Sequence, residues 1–468
     1  MNKVLKITVI IYFAFVFPIL FFIADFFVLE SDPKIYALIP QDADIVIEIN
    51  TKNFIQEIAY QRIFNESYFK QKLPKDDETS LLKEGEINIG IDFYSQIIFF
   101  REHWAEKNIW YAVLSVSNKS NFESFMVDKG YNFNIEYADN YAVILLNHSH
   151  ENKVLEHQKN IAGFTVKSFD SKVDLSEIFS TENELNIYIN PKNSQHIIDG
   201  YLHFNFEKDR VITKGSFTPI GKIEDIPFIK YQPSNDKAVT LRSSLNLFNS
   251  VYLFNKNFSL KDLPNYTQLC LDFNGTTFKT LHADIPIIAY PELNVQFDII
   301  DSLIWDTYLT NLNDTATYTT GTIFINKPEQ KLIINAESKS IFNYSLNNNY
   351  FKLYQTADTF TVKELNDTYF YVNIYPNSIF ENTTFVQDTL NPAQLIDKIK
   401  IGIIESILKD MNFLNDIDHI KFTINHQNNS TDFLSNGEVI YIDKNGHSII
   451  ESIVVVQKFL NSVGAILD

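Results

Sequence analysis

The sequence predicts an α+β fold: an N-terminal transmembrane helix, then curved antiparallel sheets with helices packed on one face. Three observations lead there. Residues 7–24 form a run of 18 without a charge. Short stretches of alternating apolar and polar residues recur through the rest of the chain. A few segments carry helical spacing and capping signals.

The apolar run reaches Val28, interrupted only by Asp25. A helix of about 20 apolar residues crosses a hydrocarbon core of about 30 Å, and lipid tolerates a proline such as Pro18 as a kink. Lys3 and Lys6 precede the run; Asp25, Glu30 and Asp32 follow it. Positive-inside bias then puts the N-terminus in the cytoplasm and the bulk of the chain outside. Phe21-Phe-Ile-Ala-Asp-Phe-Phe27 lacks a small-x-small cleavage site, so the expectation is an uncleaved single-pass signal-anchor. Cys270 is the only cysteine, which forbids an intrachain disulfide. Abundant Asn, Ile, Lys and Phe resemble the codon bias of an AT-rich genome. Together these features predict a bacterial inner-membrane protein with a periplasmic body. Its 12 Asn-x-Ser/Thr sequons are then coincidences of composition.

The net charge of −19 excludes a nucleic-acid binder, which needs a basic patch to displace counterions from phosphate.

Asp44-Ile-Val-Ile-Glu-Ile-Asn50 reads as a strand with Ile45, Ile47 and Ile49 on one face, and Thr51 as the cap of a helix to about Phe64. Strands are predicted near 86–92, 95–101 and 108–116, a helix at 119–128, and a hairpin of 131–137 with 141–146. Glu184-Leu-Asn-Ile-Tyr-Ile-Asn190 repeats the first strand, and the Pro191-Lys-Asn193 that follows echoes Thr51-Lys-Asn53. Residues 292–298 and 419–425 are weaker echoes. An internal duplication would give each copy a strand, a helix and antiparallel strands. Asn391-Pro392 opens a helix to about Met411, and Ser448 with Glu451 forms a capping box for a final apolar helix. The expected domains are residues 1–30 as cytoplasmic tip and anchor, then 31–170, 171–300 and 301–468.

No common catalytic or cofactor motif is complete. Gly215 and Gly221-Lys222 miss the phosphate-loop spacing, and no nucleophile elbow, paired Cys-x-x-Cys or calcium loop occurs. No cofactor and no metal are expected. The densest ligand-type cluster is His148, His150, Glu151 and His157; its bland alternative is a polar turn leading into an exposed helix. Asp410, Asp416 and Asp418 are a weaker acidic group. Trp104 and Trp110, beside predicted strand ends, are the candidate partner-binding anchors.

Leu38-Ile-Pro-Gln-Asp-Ala-Asp44 and Tyr188-Ile-Asn-Pro-Lys192 resemble motifs of a loosely defined set of uncharacterised Gram-negative envelope proteins. That resemblance implies an extracytoplasmic α+β body and supplies no activity.

Three functions are then open. The first is a non-catalytic, membrane-tethered scaffold or accessory subunit that binds envelope proteins. The second is a carrier or sensor of an apolar ligand such as lipid, drawing on 40 Phe and 24 Tyr. The third is a hydrolase of envelope polymers using dispersed carboxylates.

Overall fold

A computed structural model describes residues 33–55, 89–92, 95–104, 107–128, 133–146, 152–167, 175–179, 183–190, 197–245, 264–280, 288–315, 322–335, 339–355, 360–387, 414, 416–426, 431–443, 447, 448 and 450–452. Described residues before 188 form one compact unit, and those from 188 onward form another.

The first unit begins with a 3-10 turn, Pro33–Leu38, and continues through β1 (Ala43–Ile49), β2 (Ile97–Trp104) and β3 (Lys107–Ser115). Then come α1 (Lys119–Asp128), β4 (Asn134–Ala138), β5 (Tyr141–Leu145), α2 (Asn152–Ala162), α3 (Leu175–Ile178) and β6 (Leu185–Ile189). The strands pair in the order β6-β1-β2-β3-β5-β4. Phe122 and Met126 of α1 pack with Ala112, Leu114, Ala142 and Ile144. His157 of α2 meets Glu102 and the Tyr111 ring, which occupy the opposite register parity. Helices therefore cover both faces of this sheet.

That double cover changes the reading of β1. Ile45, Ile47 and Ile49 are only half-buried, and the deeper face carries Val46 and Glu48. Aliphatic alternation marks a buried face only where the other is wet. The helix after β1 is capped one residue earlier than expected: Asn50 Oδ1 accepts the Asn53 amide at 3.3 Å. Thr51 instead donates its hydroxyl to the Ser95 carbonyl.

The second unit contains β7 (Ile197–Phe206), β8 (Arg210–Pro219), β9 (Ile229–Tyr231), β10 (Val239–Ser243), β11 (Tyr266–Thr280) and β12 (Ile288–Ile299). After α4 (Ser302–Thr315) come β13 (Thr322–Asn326), β14 (Lys331–Asn335), β15 (Lys339–Leu346), β16 (Tyr350–Tyr354), β17 (Val362–Leu365) and β18 (Thr368–Ile374). The unit continues with α5 (Pro376–Glu381), β19 (Thr384–Gln387), β20 (Ile417–His426) and β21 (Phe433–Tyr441). Antiparallel pairing links twelve of these strands in the order β7-β8-β21-β20-β18-β10-β11-β12-β16-β15-β14-β13. Strand β19 adds parallel to the end of β11, and β9 with β17 makes a separate two-stranded ribbon.

The centre of this sheet has two distinct faces, set by period-2 alternation. Leu269, Leu293, Val295, Phe297, Phe351 and Leu353 lie on one, under Trp305 and Leu309 of α4. The Trp305 ring centroid lies 5.0 Å from Phe351 and 5.4 Å from Phe297. Where β11 bulges between Phe273 and Thr276, Gly275 lets the Asn382 carbonyl approach; a Cβ there would stand 2.5 Å from that oxygen.

Several expectations are corrected. The α+β class gives way to a mainly antiparallel β protein, because β-branched and aromatic alternation runs through segments as long as the 15 residues of β11, against 14 for the longest described helix. The paired Asp44–Asn50 and Glu184–Asn190 motifs are brought together in space. They lie beside each other as β1 and β6, with the Asn50 amide donating to the Glu184 carbonyl at 2.9 Å. Helices are not confined to one face. The expected anchor falls on residues outside the described set, and among the described residues no helix is long and apolar enough to cross a membrane. The transmembrane, single-pass and signal-anchor readings, and the inner-membrane placement with a periplasmic body that rested on them, are not carried further. Their warrant was apolar composition, and in this chain a Phe/Ile run such as Ile97-Ile-Phe-Phe100 is a sheet strand. The helix expected at 392–411 also lies outside the described residues. At the final helix, Ser448 is already helical, and it donates its hydroxyl to the Glu207 carbonyl.

Candidate functional site

The other face of the central sheet is polar and yet buried. Across β18, β10, β11, β12 and β16, one row places Asn373, Thr240, Asp272, Asn294 and Tyr354 in register. The next row places Tyr371, Arg242, Cys270, Gln296 and Lys352. Gln268 and Asp298 form a third pair. Alternation alone would assign such a face to solvent. Here the β9–β17 ribbon and its flanking residues are fastened across it.

Arg242 is the centre of the fastening, 1% exposed. Its guanidinium donates to both Asp272 carboxylate oxygens, at 2.7 and 3.0 Å, the bidentate geometry that makes such pairs strong. It also donates to the carbonyls of Leu241, Leu271 and Gln232. The Phe360 ring lies over the cation, 4.8 Å from the guanidinium carbon.

A second knot surrounds Asp298. Tyr231 donates its hydroxyl to Asp298 Oδ1 at 2.8 Å, and Gln296 Nε2 donates to both the Tyr231 hydroxyl and Asp298. Burial first, then the Asp298 carboxylate, raises the pKa of the Tyr231 hydroxyl, so it stays a donor. Gln268 accepts the Lys230 amide at 3.0 Å and donates to the Phe228 carbonyl at 2.6 Å. Burial also raises the pKa of the Cys270 thiol, which keeps it an inert core group. Chemically, the layer holds two knots that bind the ribbon to the sheet: the buried Arg242–Asp272 ion pair, and Asp298 held by neutral donors with the half-exposed Lys230 ammonium 3.7 Å away.

The residues singled out in the sequence lie elsewhere. Trp110 is half-buried opposite Arg101, whose guanidinium carbon is 5.8 Å from its ring centroid. Arg101 in turn grips Asp44 at 2.8 and 2.9 Å. Trp104 pairs with Lys107 in the same hairpin, at a register position of the opposite parity.

His148, His150, Glu151 and Asp410 lie outside the described residues. His157 bonds Glu102 at 2.9 Å, and Asp418 bonds His419 at 3.1 Å. Among the described residues no group of three or more His, Cys, Asp or Glu is placed to hold a metal. Sequence reasoning missed Arg242, Asp272 and Asp298. The available signal was polar residues at every second position of three strands that also alternate strongly apolar.

No family model, no curated protein and no solved structure matches the chain, so the likeness of residues 38–44 and 188–192 to envelope proteins stands on those residues alone.

Proposed function

We propose that the protein is a non-catalytic binding scaffold, an accessory subunit that holds another protein against the outer side of α4. One observation carries this reading. Ile300, just before α4, and Leu303 and Ile304 in its first turn are 67%, 76% and 56% exposed, while Trp305 and Leu309 of the helix fill the core. Contiguous large aliphatics in water mark contact surfaces, whereas isolated ones are ordinary. Exposed Asp301 and Asp306 border the ridge, on a chain of net charge −19. The complementary occupant is a protein surface with an apolar strip edged by Lys or Arg. A second copy would bring like charges together.

The polar layer supports the same reading, because its charges are spent on holding the ribbon. Asp272 and Asp298 lie four residues apart in register, roughly 13 Å along the strands at 3.3 Å per residue. Glycosidase carboxylate pairs stand about 5–9.5 Å apart. A lipid carrier finds no support on the apolar face of the sheet, whose aromatic rings pack against Trp305.

The test is co-purification from the native source with full-length wild type and Leu303→Asp/Ile304→Asp. The expected result is a stoichiometric protein with a basic-edged apolar segment, lost with the variant while Trp305 fluorescence is unchanged. Identical co-purifying proteins with both forms, or a chain that self-associates through the ridge, would overturn the proposal.

A further inference from the structure

Strand β13 ends the long strand order of the second unit. It pairs with β14 from Thr322↔Asn335 to Asn326↔Lys331 without a register shift. Among the described residues no other strand pairs with it.

The main-chain groups on its outer edge follow from the ladder. The Gln330 carbonyl accepts the Tyr344 amide at 2.8 Å, so it points toward β15. A trans peptide directs its C=O and the following N–H to opposite sides. The Lys331 N–H therefore faces β13, and Leu332 in turn directs its main chain toward β15, opposite Phe342. Residues opposite one another in an antiparallel ladder either both face each other or both turn away, in alternation. Ile325, opposite Leu332, turns its N–H and C=O away from β14, and so does Ile323, opposite Ile334. Thr322, Phe324 and Asn326 hold β14; Ile323 and Ile325 present their amides and carbonyls at the edge.

An open edge is a template for another strand, and proteins blunt such edges with charges, proline or a bulge. The β9–β17 ribbon is blunted in this way: Lys363 and Glu364 lie in β17, and its register shifts between Val362 and Leu365. In β13, Thr322-Ile-Phe-Ile-Asn326 has no charge, no proline and no bulge. Its β-branched and aromatic residues favour extended chain. Outward donors and acceptors at strand spacing are matched by the main chain of an added strand. A second copy paired edge to edge would bring together two chains of net charge −19.

We propose that β13 is a strand-addition site: an extended segment of a partner protein, β-branched and carrying Lys or Arg rather than Asp or Glu, pairs main chain to main chain with Ile323 and Ile325. The claim goes beyond the α4 ridge, because it rests on backbone groups and not on exposed side chains. Either can fail alone.

The test is hydrogen exchange of the full chain by mass spectrometry with fragmentation that resolves single amides. The probe is the capped peptide Lys-Val-Lys-Val-Lys-Val-Lys. Its control, Lys-Val-Lys-Pro-Lys-Val-Lys, keeps the charge and breaks the strand. Without peptide, the Ile323 and Ile325 amides should exchange faster than those of Phe324 and Asn326. In millimolar peptide they should slow roughly ten-fold, as for a ligand at about ten times its Kd, and the control should leave them unchanged. Ile325→Pro places a ring where an outward N–H stood, spares the bonds to β14 and should abolish the slowing at Ile323. Ile325→Ala keeps that N–H and should retain the slowing. Unchanged Trp305 fluorescence shows that each variant is folded. No slowing, equal slowing by the control, or wild-type slowing in Ile325→Pro would overturn the proposal. So would Ile323 and Ile325 amides already protected without peptide: protection that rises with protein concentration means a second copy on the edge, and protection independent of it means cover by the chain itself. If Ile325→Pro does not fold, the two peptides decide alone.

Discussion

Arg242 shows how a single side chain can invert the meaning of a sheet face. Its five hydrogen bonds and the Phe360 ring turn polar residues into an interior layer. Replacing Asp272 by Leu would leave that cation buried without its counter-charge. The expected cost is about 3–5 kcal/mol, read as a lower urea midpoint. Adding Arg242→Met should restore only part of it, because the carbonyls of Leu241, Leu271 and Gln232 then lose a donor. Tyr231→Phe removes one bond to Asp298 and should cost about 1–2 kcal/mol. In the sequence only the polar residue at every second position pointed to this layer, and nothing there said it would be buried. Thr240-Leu-Arg-Ser243 reads as a half-exposed strand, and the segment that covers it comes partly from Phe360, more than a hundred residues away.

At the scale of elements, alternation was a sound guide wherever one side chain in two could be paired with a neighbour. The helix at 119–128 and the hairpin turn at Asp139-Asn140 were legible from local signals, and Asp139 adopts a positive φ of 49° there. What local signals could not show was which strands would be neighbours. The similar segments 44–50 and 184–190 are adjacent strands of one sheet, where like environments select like residues. Helix α4 was not anticipated, because Leu303 and Ile304 blur its apolar stripe. Its two sides should separate in experiment. Trp305→Ala opens a cavity among Phe297, Phe351 and Leu309 and should cost about 3–5 kcal/mol. Leu303→Asp with Ile304→Asp, on the exposed side, should change the urea midpoint by less than about 0.5 kcal/mol equivalent per residue.

For the whole molecule, a net charge of −19 is what the proposed partner surface at the exposed ridge would have to complement, which is why a basic edge is expected of it. Proton linkage adds a stability term. In the folded state Glu48 holds its proton up to about 7, against an ordinary value of 4.5. Between those values the folded protein binds more protons than the unfolded chain, so stability falls as pH rises. It is fully present below 4.5, and about 3 kcal/mol of it is lost by pH 7. Glu48→Gln should flatten that part of the pH–stability curve. The scaffold reading itself is tested most directly by a photo-crosslinking residue at position 303 of the full chain, activated in its native cells. The expected result is one dominant crosslinked protein whose attached peptide is apolar and flanked by Lys or Arg. Crosslinks only to lipid, only to another copy of the chain, or to no macromolecule at all would contradict it.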